Sequence, residues 1–439
     1  METKTPQIYD KIREQFDTGP YPRIPIETSP KEQIINLYYH NLVTAYYRRN
    51  KQVISTQGRI ILDAGCGSGF TTLTLAEANP GAKIVGIDLS SKSLELAQKR
   101  LEYHGFDNVE FHVLSLEDLP KLEIKFDYIN CDEVLYLLPD PVAGLKAMKA
   151  VLKPAGIIRA NLHSSLQRVF YFRAQLIFKM MGLMDENPGE IEVDIVREIF
   201  KSLKDGVQLK QKTWNSEKEN DDQYFMMNYL FQGDKGYTIP EMFAAIADAN
   251  LEFISMTQLK QWDLMSLFKD PKDIPTFLAY SLPEISIEDK LNLFELFNPK
   301  NRLLDFWCGN KEENQTIKPP QEWTIDDWKK VKIHLHPQMK ASVVVEELFE
   351  CINQYLYFPI DKHLPLTQEQ ILIKNNVAAC LYPPLLESPK PIDFLAKRWQ
   401  RLYPENPITG EATTEEQAFK IIRDLAIGRE AFGEILLEL

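Results

Sequence analysis

The first third of the chain alternates between short apolar runs and longer segments with helical spacing of apolar residues. The β-branched runs RIILDAG, AKIVGIDLS and NVEFHVLS predict buried strands, and helices are predicted after the first two. FDYINCDE and GIIRANLH predict two further strands, and the helix DPVAGLKAMKAVL, ended by Pro154, lies between them. Strands that alternate with helices and are apolar on both faces predict a parallel sheet with helices on each side.

Residues 165–235 interrupt this rhythm with two predicted helices and a polar loop. An insertion of this kind in an α/β sheet usually lies over the carboxyl ends of the strands, where ligands bind. Its aromatic stripe packs in a core or walls an apolar pocket, and the pattern leaves both readings open; the stripe comprises Phe170, Tyr171, Phe172, Ile177 and Phe178. Residues 263–309 are predicted to be helical.

The two ends of the chain have different patterns. Residues 1–28 end in GPYPRIPIETSP, whose prolines predict an extended strap, and a helix over 30–50 is expected to begin at Ser29-Pro30. The predicted organisation is a strap and helix forming a lid (1–57), a sheet domain (58–309) with a helical cap (about 165–235), a linker (310–322) and a mostly helical C-terminal domain (323–439).

Composition narrows the class of protein. The 439 residues are 44% hydrophobic and carry a net charge of −13, which disfavours a broad nucleic-acid surface. No window is apolar enough for a membrane span, and METKTPQIYDKIREQF lacks the apolar run of a secretory signal. Five scattered cysteines without a CxxC pair are typical of reduced thiols. A cytoplasmic location, with no membrane span and no nucleic-acid partner, is therefore expected.

The strongest chemical signal is LDAGCGSG, followed by GIDLS. Glycines at 65, 67 and 69 allow a ligand close to the backbone at the start of a helix, and Asp88 lies where an acid can accept both ribose hydroxyls. A dinucleotide site needs GxGxxG with room for a pyrophosphate, whereas this turn is GxGxG with Asp63 directly before it. A cofactor with a cationic amino group suits that acid better, which favours S-adenosylmethionine over NAD.

DAGCGSG, GIDLS, FDYINCDEVLYLLPDP and LKPAGIIRANL together resemble the class I S-adenosylmethionine-dependent methyltransferases, clearly over residues 58–160. More loosely, 14–25, 221–256 and 298–307 resemble extended methyltransferases sometimes fused to tetratricopeptide repeats, and the C-terminal residues resemble regulatory domains of some bacterial methyltransferases, including protein-lysine ones. The resemblance implies an α/β, Rossmann-like class I methyltransferase fold with a seven-stranded mostly parallel sheet, a helical cap insertion and a mostly α C-terminal domain.

The resemblance also implies roles for individual residues. The expected cofactor-binding residues are Asp63, Ala64, Gly65, Cys66, Gly67 and Gly69 at the turn, Asp88 and Leu89 at the ribose and adenine, Ser115, Leu116 and Glu117 beside adenine, Asn130 and Cys131 at the methionine end, and Tyr21 and Arg23 on the strap. The usual Gly-Asp beside adenine is Leu114-Ser115 here. Strap residues 8–25, with Tyr9 and Phe16, are expected to close over the cofactor.

The expected reaction is an in-line displacement at the methyl carbon, in which the protein aligns the acceptor and excludes water. The acceptor is expected to be an O, N or C nucleophile of a small or apolar molecule, with a protein side chain of lysine type as the second enzyme reading. A non-catalytic protein that senses S-adenosylmethionine is a third. The candidate catalytic residues are Glu133, Tyr136 and His163, although each also has a plain packing interpretation.

Two further clusters of polar residues could bind a metal ion, a cation or an amine. His334 and His336 can share one face of a strand, but no third metal ligand suggests itself, so structural histidines and no metal site are expected. Asp221 and Asp222 can bind a cation or amine, but a solvated loop is the simpler reading. The acceptor and the oligomeric state do not follow from the sequence.

Overall fold

A computed structural model describes residues 21–311, 318–364, 370–405 and 410–439. The chain divides into two compact units. The described part of unit 1 comprises residues 21–28, 60–72 and 83–311, and that of unit 2 comprises residues 29–59 and 73–82 together with the described residues from 318 onward. Residues 8–20 of the predicted lid, including Tyr9 and Phe16, lie outside the described residues.

The elements are numbered in chain order. The helices are α1 (Ile34–His40), α2 (Leu42–Asn50), α3 (Phe70–Ala78), α4 (Ser91–Tyr103), α5 (Pro141–Val151), α6 (Val169–Met180), α7 (Glu190–Ser202), α8 (Gln208–Thr213), α9 (Asp222–Tyr229), α10 (Ile239–Asp248), α11 (Thr276–Ser281), α12 (Ile287–Phe297), α13 (Ile325–Lys330), α14 (Ser342–Asn353), α15 (Asn375–Glu387), α16 (Ile392–Leu402) and α17 (Glu415–Phe432). The strands are β1 (Ile60–Ala64), β2 (Lys83–Asp88), β3 (Val109–Val113), β4 (Phe126–Cys131), β5 (Leu152–Ser164), β6 (Gly236–Tyr237), β7 (Leu251–Met256), β8 (Leu303–Asn310), β9 (Lys332–Leu335), β10 (Phe358–Pro359), β11 (Leu372–Ile373), β12 (Lys390–Pro391) and β13 (Ile435–Glu438).

Unit 1 is built on one sheet with the strand order β3-β2-β1-β4-β5-β8-β7, and the short β6 pairs with β5. The pairings from β3 to β5 are parallel, whereas β8 runs antiparallel to both β5 and β7. The predicted α/β class and mostly parallel seven-strand path are therefore confirmed. The strand order reverses between β1 and β4, which is where open α/β sheets bind ligands at the carboxyl ends of their strands.

The core of unit 1 follows from strands that are apolar on both faces. Leu62, Val85 and Ile129 are fully buried or nearly so, and helices α5 and α10 supply further buried apolar residues. The helical prediction for 263–309 is wrong at its end, because 303–310 form strand β8 between β5 and β7. The predicted helix before β5 also ends earlier than expected, at Val151, and Pro154 lies within the strand.

The predicted cap segment, about 165–235, holds helices α6 to α9, which bury a small core of their own. Rings of Phe178, Phe200 and Tyr229 are in contact there, with the Phe200 and Tyr229 centroids 4.8 Å apart. Asp221 caps helix α9 by accepting the Tyr224 backbone N–H at 3.0 Å, so the side chain is used locally. The cap is therefore a packed substructure and not a loose excursion of the chain.

Unit 2 joins helices to small sheets, so its C-terminal part is less purely helical than predicted. Strands β12, β9 and β13 form an antiparallel sheet, and β10 pairs with β11. The predicted helix over 30–50 begins only at Ile34 and is broken at Asn41, whose side chain caps α2 by accepting the Val43 N–H. None of the helices in the described residues is long and apolar enough to cross a membrane.

Candidate functional site

A pocket of about 290 Å³ lies at the carboxyl ends of β1, β2 and β4 in unit 1. We call it the sheet-edge pocket. It is lined by Tyr21, Pro22, Gly65, Cys66, Gly67, Thr71, Ile87, Asp88, Leu89, Ser90, Ser93, Leu114, Ser115, Leu116, Glu117, Asp132, Glu133, Val134, Leu137 and Leu138. Its volume is close to the lower end of the range of ~300–1,000 Å³ typical of small-molecule sites.

The glycine turn after β1 forms the floor of this pocket. The N–H groups of Gly65 and Cys66 donate to the carbonyl of Ile87, which ties the turn to the end of β2. Gly65 and Gly67 have φ of +80° and +51°, and a Cβ at either position would come within 2.3 Å of a neighbour, Val134 or the Tyr21 carbonyl. A side chain fits at neither position, so both require glycine, and both line the pocket through their backbone.

Asp88 borders the pocket at the tip of β2. Its carboxylate oxygens accept the backbone N–H groups of Gly67 and Ser90 at 2.9 and 2.8 Å. These two bonds fix the rotamer, and a carboxylate has about four lone-pair positions, so it can accept further donors. The end of β2 therefore presents a positioned acceptor for paired hydroxyl groups.

The strap crosses the glycine turn and is held by a buried arginine. The Tyr21 carbonyl accepts the Ser68 N–H at 2.9 Å, and the Ser68 hydroxyl donates to the Pro22 carbonyl at 2.7 Å. Arg100 of α4 donates to the carbonyls of Ile24, Pro25 and Ser68 at 2.7, 2.8 and 3.0 Å, and its side chain is buried. The described strap is therefore anchored through its backbone groups. Backbone hydrogen bonds do not depend on the side chains of the strap, so the sequence of the strap did not predict its contact with Arg100.

Asp63 lies behind the pocket wall and does not line it. Its oxygens accept the Thr72 hydroxyl at 2.7 Å and the Asn130 amide at 2.9 Å. Burial raises the pKa of Asp63 to about 6, although both hydrogen bonds oppose that change. Asp63 thus holds the turn and the tip of β4 in register from beneath.

Asp132 is the acid that lines the pocket at the tip of β4. Its carboxylate is bonded to the Asn161 amide, and Arg159 lies 3.7 Å away. Arg159 also forms a two-point ion pair with Asp305 of β8, with distances of 3.1 and 2.8 Å. The sequence prediction had assigned the amino-group contact to Asp63, whereas the structure exposes Asp132 to the ligand space.

The structure brings most of the predicted binding residues to this pocket. Its lining includes the predicted binding residues Tyr21, Gly65, Cys66, Gly67, Asp88, Leu89, Ser115, Leu116 and Glu117, together with the catalytic candidate Glu133. Asp63, Ala64, Asn130 and Cys131 are buried behind the lining, and Gly69 lies against helix α4, where a Cβ would meet Ala97 at 2.7 Å. Arg23 is exposed on the strap and does not line the pocket.

A second pocket of about 330 Å³ lies next to the first, between the sheet edge and the cap helices, and we call it the cap pocket. It is lined by Tyr21, Glu133, Tyr136, His163, Gln167, Arg168, Tyr171, Tyr224, Met227, Asn228, Phe231 and Arg302. The two pockets share Tyr21 and Glu133. The aromatic stripe has both of its predicted roles: Phe178 is buried in the cap core, and Tyr171 lines the cap pocket.

Glu133 stands at the junction of the two pockets in a left-handed conformation with φ of +59°. Its N–H donates to Asn161 at 2.9 Å, and its carboxylate accepts from Tyr136 at 2.9 Å and pairs with Arg302. Burial opposes ionisation, but the basic side chains around the carboxylate, with Arg302 bonded directly to it, outweigh burial and hold the pKa of Glu133 far below its usual range. An unusual backbone conformation held by this many bonds is typical of a functional position.

His163, at the end of β5, is buried between the cap pocket and Asp234. Its Nδ1 lies 2.6 Å from the Asp234 carboxylate, and its Nε2 lies 2.9 Å from Arg302 and 3.6 Å from Glu133. The ring stacks on Tyr136, with centroids 3.8 Å apart. The three predicted catalytic residues therefore lie together.

Sequence reasoning missed Asp132, Arg302 and Asp234. Asp132 lies between two predicted residues, Cys131 and Glu133, so its position at the strand tip is the signal that could have found it. Arg302 and Asp234 lie 139 and 71 positions from His163, so no local pattern could link them. The only signal for these two was that both lie in segments with the looser family resemblance.

Comparisons with known proteins agree with this geometry. A family model described as a methyltransferase domain matches residues 55–230. A ubiquinone biosynthesis O-methyltransferase of Actinobacillus pleuropneumoniae is 36% identical over 23% of this chain and 44% of its own length, so this chain spans less than half of that relative. An uncharacterized protein of Synechococcus sp. is 29% identical over 71% of this chain and 73% of its own length.

Among solved structures, PKMT2 from Rickettsia typhi in complex with AdoHcy matches with a TM-score of 0.56 at 18% identity, over 95% of this chain and 77% of that one. At this identity the match supports the fold alone. Together with the family model, the fold and the sheet-edge pocket define a class I S-adenosylmethionine-dependent methyltransferase domain. Residues 55–230 therefore belong to an S-adenosylmethionine-dependent methyltransferase domain, and S-adenosylmethionine is its cofactor.

Proposed function

We propose that the chain transfers the methyl group of S-adenosylmethionine to an O, N or C nucleophile of a small, largely apolar acceptor bound in the cap pocket. The observation that carries this proposal is the contact between the two pockets, which share Tyr21 and Glu133 as a common wall. The cap pocket is small and has aromatic walls, which suits a compact acceptor. A cytoplasmic location belongs to the same proposal.

In this proposal different residues of the sheet-edge pocket bind different parts of the cofactor. Asp88 accepts the ribose hydroxyls, and Leu89 and Leu116 pack against adenine, whose amine meets Ser115. The open backbone of Gly65 and Gly67 receives the methionine part. Asp132 takes the place first assigned to Asp63 and faces the amino group, because its carboxylate borders the pocket.

The bound cofactor supplies a methyl group on a sulfonium that is already activated for displacement. The protein then has to align the acceptor with that methyl group and exclude water. Tyr21 and Glu133 are placed at the boundary where the two reactants meet. The ring of Tyr21 offers an aromatic face at that boundary, and such faces attract cationic groups.

The oxygen nucleophile is supported by the partial match to ubiquinone biosynthesis O-methyltransferases. The cap pocket adds support for a small acceptor, since it is bounded by the cap helices and their tyrosines. A protein side chain is the alternative acceptor that the experiment separates from this one.

The test uses S-adenosylmethionine with an isotopically labelled methyl group, a panel of small aromatic and aliphatic hydroxyl, amine and thiol compounds, and a protein extract. We expect label in small organic products. Tyr171→Ala should raise the acceptor KM at least several-fold with unchanged affinity for S-adenosylhomocysteine, and the exposed Tyr103→Ala should behave as wild type. Label found only in protein would overturn the proposed acceptor class, and label in neither would overturn the proposed activity.

A further inference from the structure

Asp234 and His163 form a buried dyad whose hydrogen bonds define the protonation of the imidazole. Asp234 accepts from Arg168 at 2.8 Å and from Gln175 at 2.9 Å, so it is held as a carboxylate. An ionised carboxylate is an acceptor only, and therefore Nδ1 of His163 is the donor across the 2.6 Å contact. The lone pair of His163 then lies on Nε2, on the side of the cap pocket.

The charges around this imidazole are balanced. Glu133 and Arg302 face Nε2 at 3.6 and 2.9 Å, Asp234 faces Nδ1, and Arg168 lies behind Asp234. Two carboxylates and two guanidinium groups leave no excess negative charge in the described part of the pocket to receive an ammonium group. A neutral acceptor is therefore favoured over a charged amine.

The two other predicted catalytic groups, Glu133 and Tyr136, are poor bases. The Glu133 carboxylate is a weak base because its pKa is held far below the usual range, and the Tyr136 hydroxyl donates to Glu133. Nε2 of His163 accepts from Arg302 on the side of the cap pocket, and imidazole is the commonest general base in enzymes. A base is needed only if the acceptor must lose a proton, which is true of a hydroxyl and not of a tertiary amine or thioether nucleophile.

The residues that line the cap pocket indicate which class of hydroxyl compound it would bind. Tyr136, Tyr171, Tyr224 and Phe231 line the cap pocket together with His163, and the ring of Tyr136 stacks on the imidazole. Aromatic side chains pack favourably against aromatic ligands in edge-to-face or offset geometry. The combination of ring walls, balanced charge and an oriented base fits an aromatic ring with a hydroxyl group.

Resting on the proposed function, we propose that the acceptor is a phenol-type hydroxyl compound and that His163, oriented by Asp234, accepts the hydroxyl proton. The oxygen–methyl bond forms as the sulfur–methyl bond breaks, and the electron pair of the broken bond returns to sulfur. The proton moves to Nε2 of His163, where it replaces the hydrogen bond from Arg302, and the imidazolium formed is stabilised by Asp234 and Glu133. Asp234 is a positioning residue, since it acts through His163.

The experiment uses nitrocatechol, a phenol whose absorbance changes when it ionises, with the full-length protein saturated with S-adenosylhomocysteine. No turnover is involved, so the readout is separate from activity. We expect saturable binding and ionisation of the bound phenol at a pH about one unit or more below that of the free compound. If S-adenosylhomocysteine binds and nitrocatechol does not, the phenol class is overturned while the methyltransferase assignment stands.

His163→Gln tests the base. It should keep the affinity for S-adenosylhomocysteine, lose most of the shift in the ionisation of nitrocatechol and lower kcat about a hundredfold or more. Asp234→Asn is the second variant, because its amide would donate to Nδ1 and place the proton on Nε2; it should cause the same spectroscopic loss. Asp205→Asn, at an almost fully exposed carboxylate on the cap, is the matched control. If the bound phenol titrates in both variants as in wild type, His163 is not the base.

Discussion

At the scale of single residues, the site depends on a few side chains that the backbone itself holds in place. Asp88 accepts two backbone N–H groups, so its carboxylate is oriented before any ligand arrives. Such preorganisation reduces the entropy lost on binding. The affinity for the cofactor should therefore be sensitive to Asp88 more than to the exposed acids of the same surface.

Asp88→Ala should weaken the binding of S-adenosylhomocysteine by about 2–3 kcal/mol, because charge-assisted hydrogen bonds to the ribose are lost. Isothermal titration calorimetry measures this directly. Asp107→Ala, at an exposed acid on the loop before β3, is the control and should bind as wild type. Equal affinities of Asp88→Ala and wild type would remove Asp88 from the site.

Gly67→Ala tests the close approach of the strap to the glycine turn. The new Cβ would come within 2.3 Å of the Tyr21 carbonyl, whereas Gly105, which also has a positive φ, has no atom within 4 Å of such a Cβ. Both alanines should cost about 1–2 kcal/mol of stability through backbone strain. Only Gly67→Ala should also lower the affinity for S-adenosylhomocysteine, by about tenfold or more.

Thermal unfolding and calorimetry on both variants separate strain from steric conflict. If Gly105→Ala lowers the affinity as much as Gly67→Ala does, the loss is a general effect of instability. In that case the contact between the turn and Tyr21 would not be what shapes the pocket.

Residues could be predicted from the sequence where one local segment builds the feature. The turn from Gly65 to Gly67 and the acid Asp88 are of this kind, since strand, turn and helix are contiguous. Arg302 and Asp234 could not be predicted, because their partner His163 is far away along the chain. The same limit explains why the sequence predicted Asp63, and not Asp132, as the acid that faces the ligand. Thr72 of α3 and Asn161 of β5 are the partners that orient these two carboxylates, and both are distant along the chain from one or the other acid.

At the scale of elements, the strap is held by helix α4 together with the glycine turn. Arg100 satisfies three carbonyls, two of which belong to the strap, and those groups have to be paired once they are buried. The strap in turn places Tyr21 on the wall between the two pockets. Arg100 of helix α4 therefore helps to position Tyr21, although Arg100 itself does not line either pocket.

Arg100→Ala should free the strap and lower the affinity for S-adenosylhomocysteine about tenfold or more, because the Tyr21 wall loses its anchor. Limited proteolysis should cut the strap of this variant faster than that of wild type, and calorimetry gives the affinity. Lys99→Ala, one position earlier and exposed, is the control. Unchanged proteolysis of the strap in Arg100→Ala would contradict the anchoring role.

Helices and strands with a regular spacing of apolar residues could be predicted, but the residues at which they begin and end could be predicted less well. The alternation of strands and helices gave the parallel sheet because buried strands are apolar on both faces. The prediction of helix for strand β8 is wrong because β8 is a central strand, paired with β5 and β7 along its two edges. Residues on both of its faces are buried, so the alternation that marks a strand is lost. The break at Asn41 was missed because its side chain caps the next helix inside a continuous apolar pattern.

At the scale of the whole molecule, the two units are not consecutive stretches of sequence. Residues 29–59 and 73–82 belong to the unit that contains the C-terminal residues. Within that unit Tyr38 donates toward the Gly433 carbonyl at 3.4 Å, and the Tyr47 hydroxyl accepts the Leu437 N–H at 2.9 Å. A domain division drawn along the sequence could not show this, because composition reveals linkers and not long-range pairing.

His336 gives unit 2 a built-in sensitivity to acid. Its Nδ1 accepts the Gln338 N–H at 3.2 Å, and its Nε2 lies 2.9 Å from the Thr44 hydroxyl, which itself donates to the Tyr38 carbonyl at 2.6 Å. A proton added to Nδ1 would therefore face another donor. Burial, with a smaller contribution from the charge of Arg48, lowers the pKa of His336 to about 3.

Because this pKa is depressed in the folded state, the stability that depends on neutral His336 is present above the unfolded-state pKa of ~6.5 and lost as the pH falls. Wild type should lose about 2 kcal/mol from this group between pH ~7 and pH ~5. His336→Asn should start from a lower stability at neutral pH, since a buried hydrogen bond is lost, but should lack this part of the pH dependence. Urea unfolding at both pH values measures the difference, with His112→Asn at a half-buried site on β3 as the control. Equal pH dependence in wild type and His336→Asn would show that the imidazole takes up its proton without disturbing the fold, and that the acid response of unit 2 has another source.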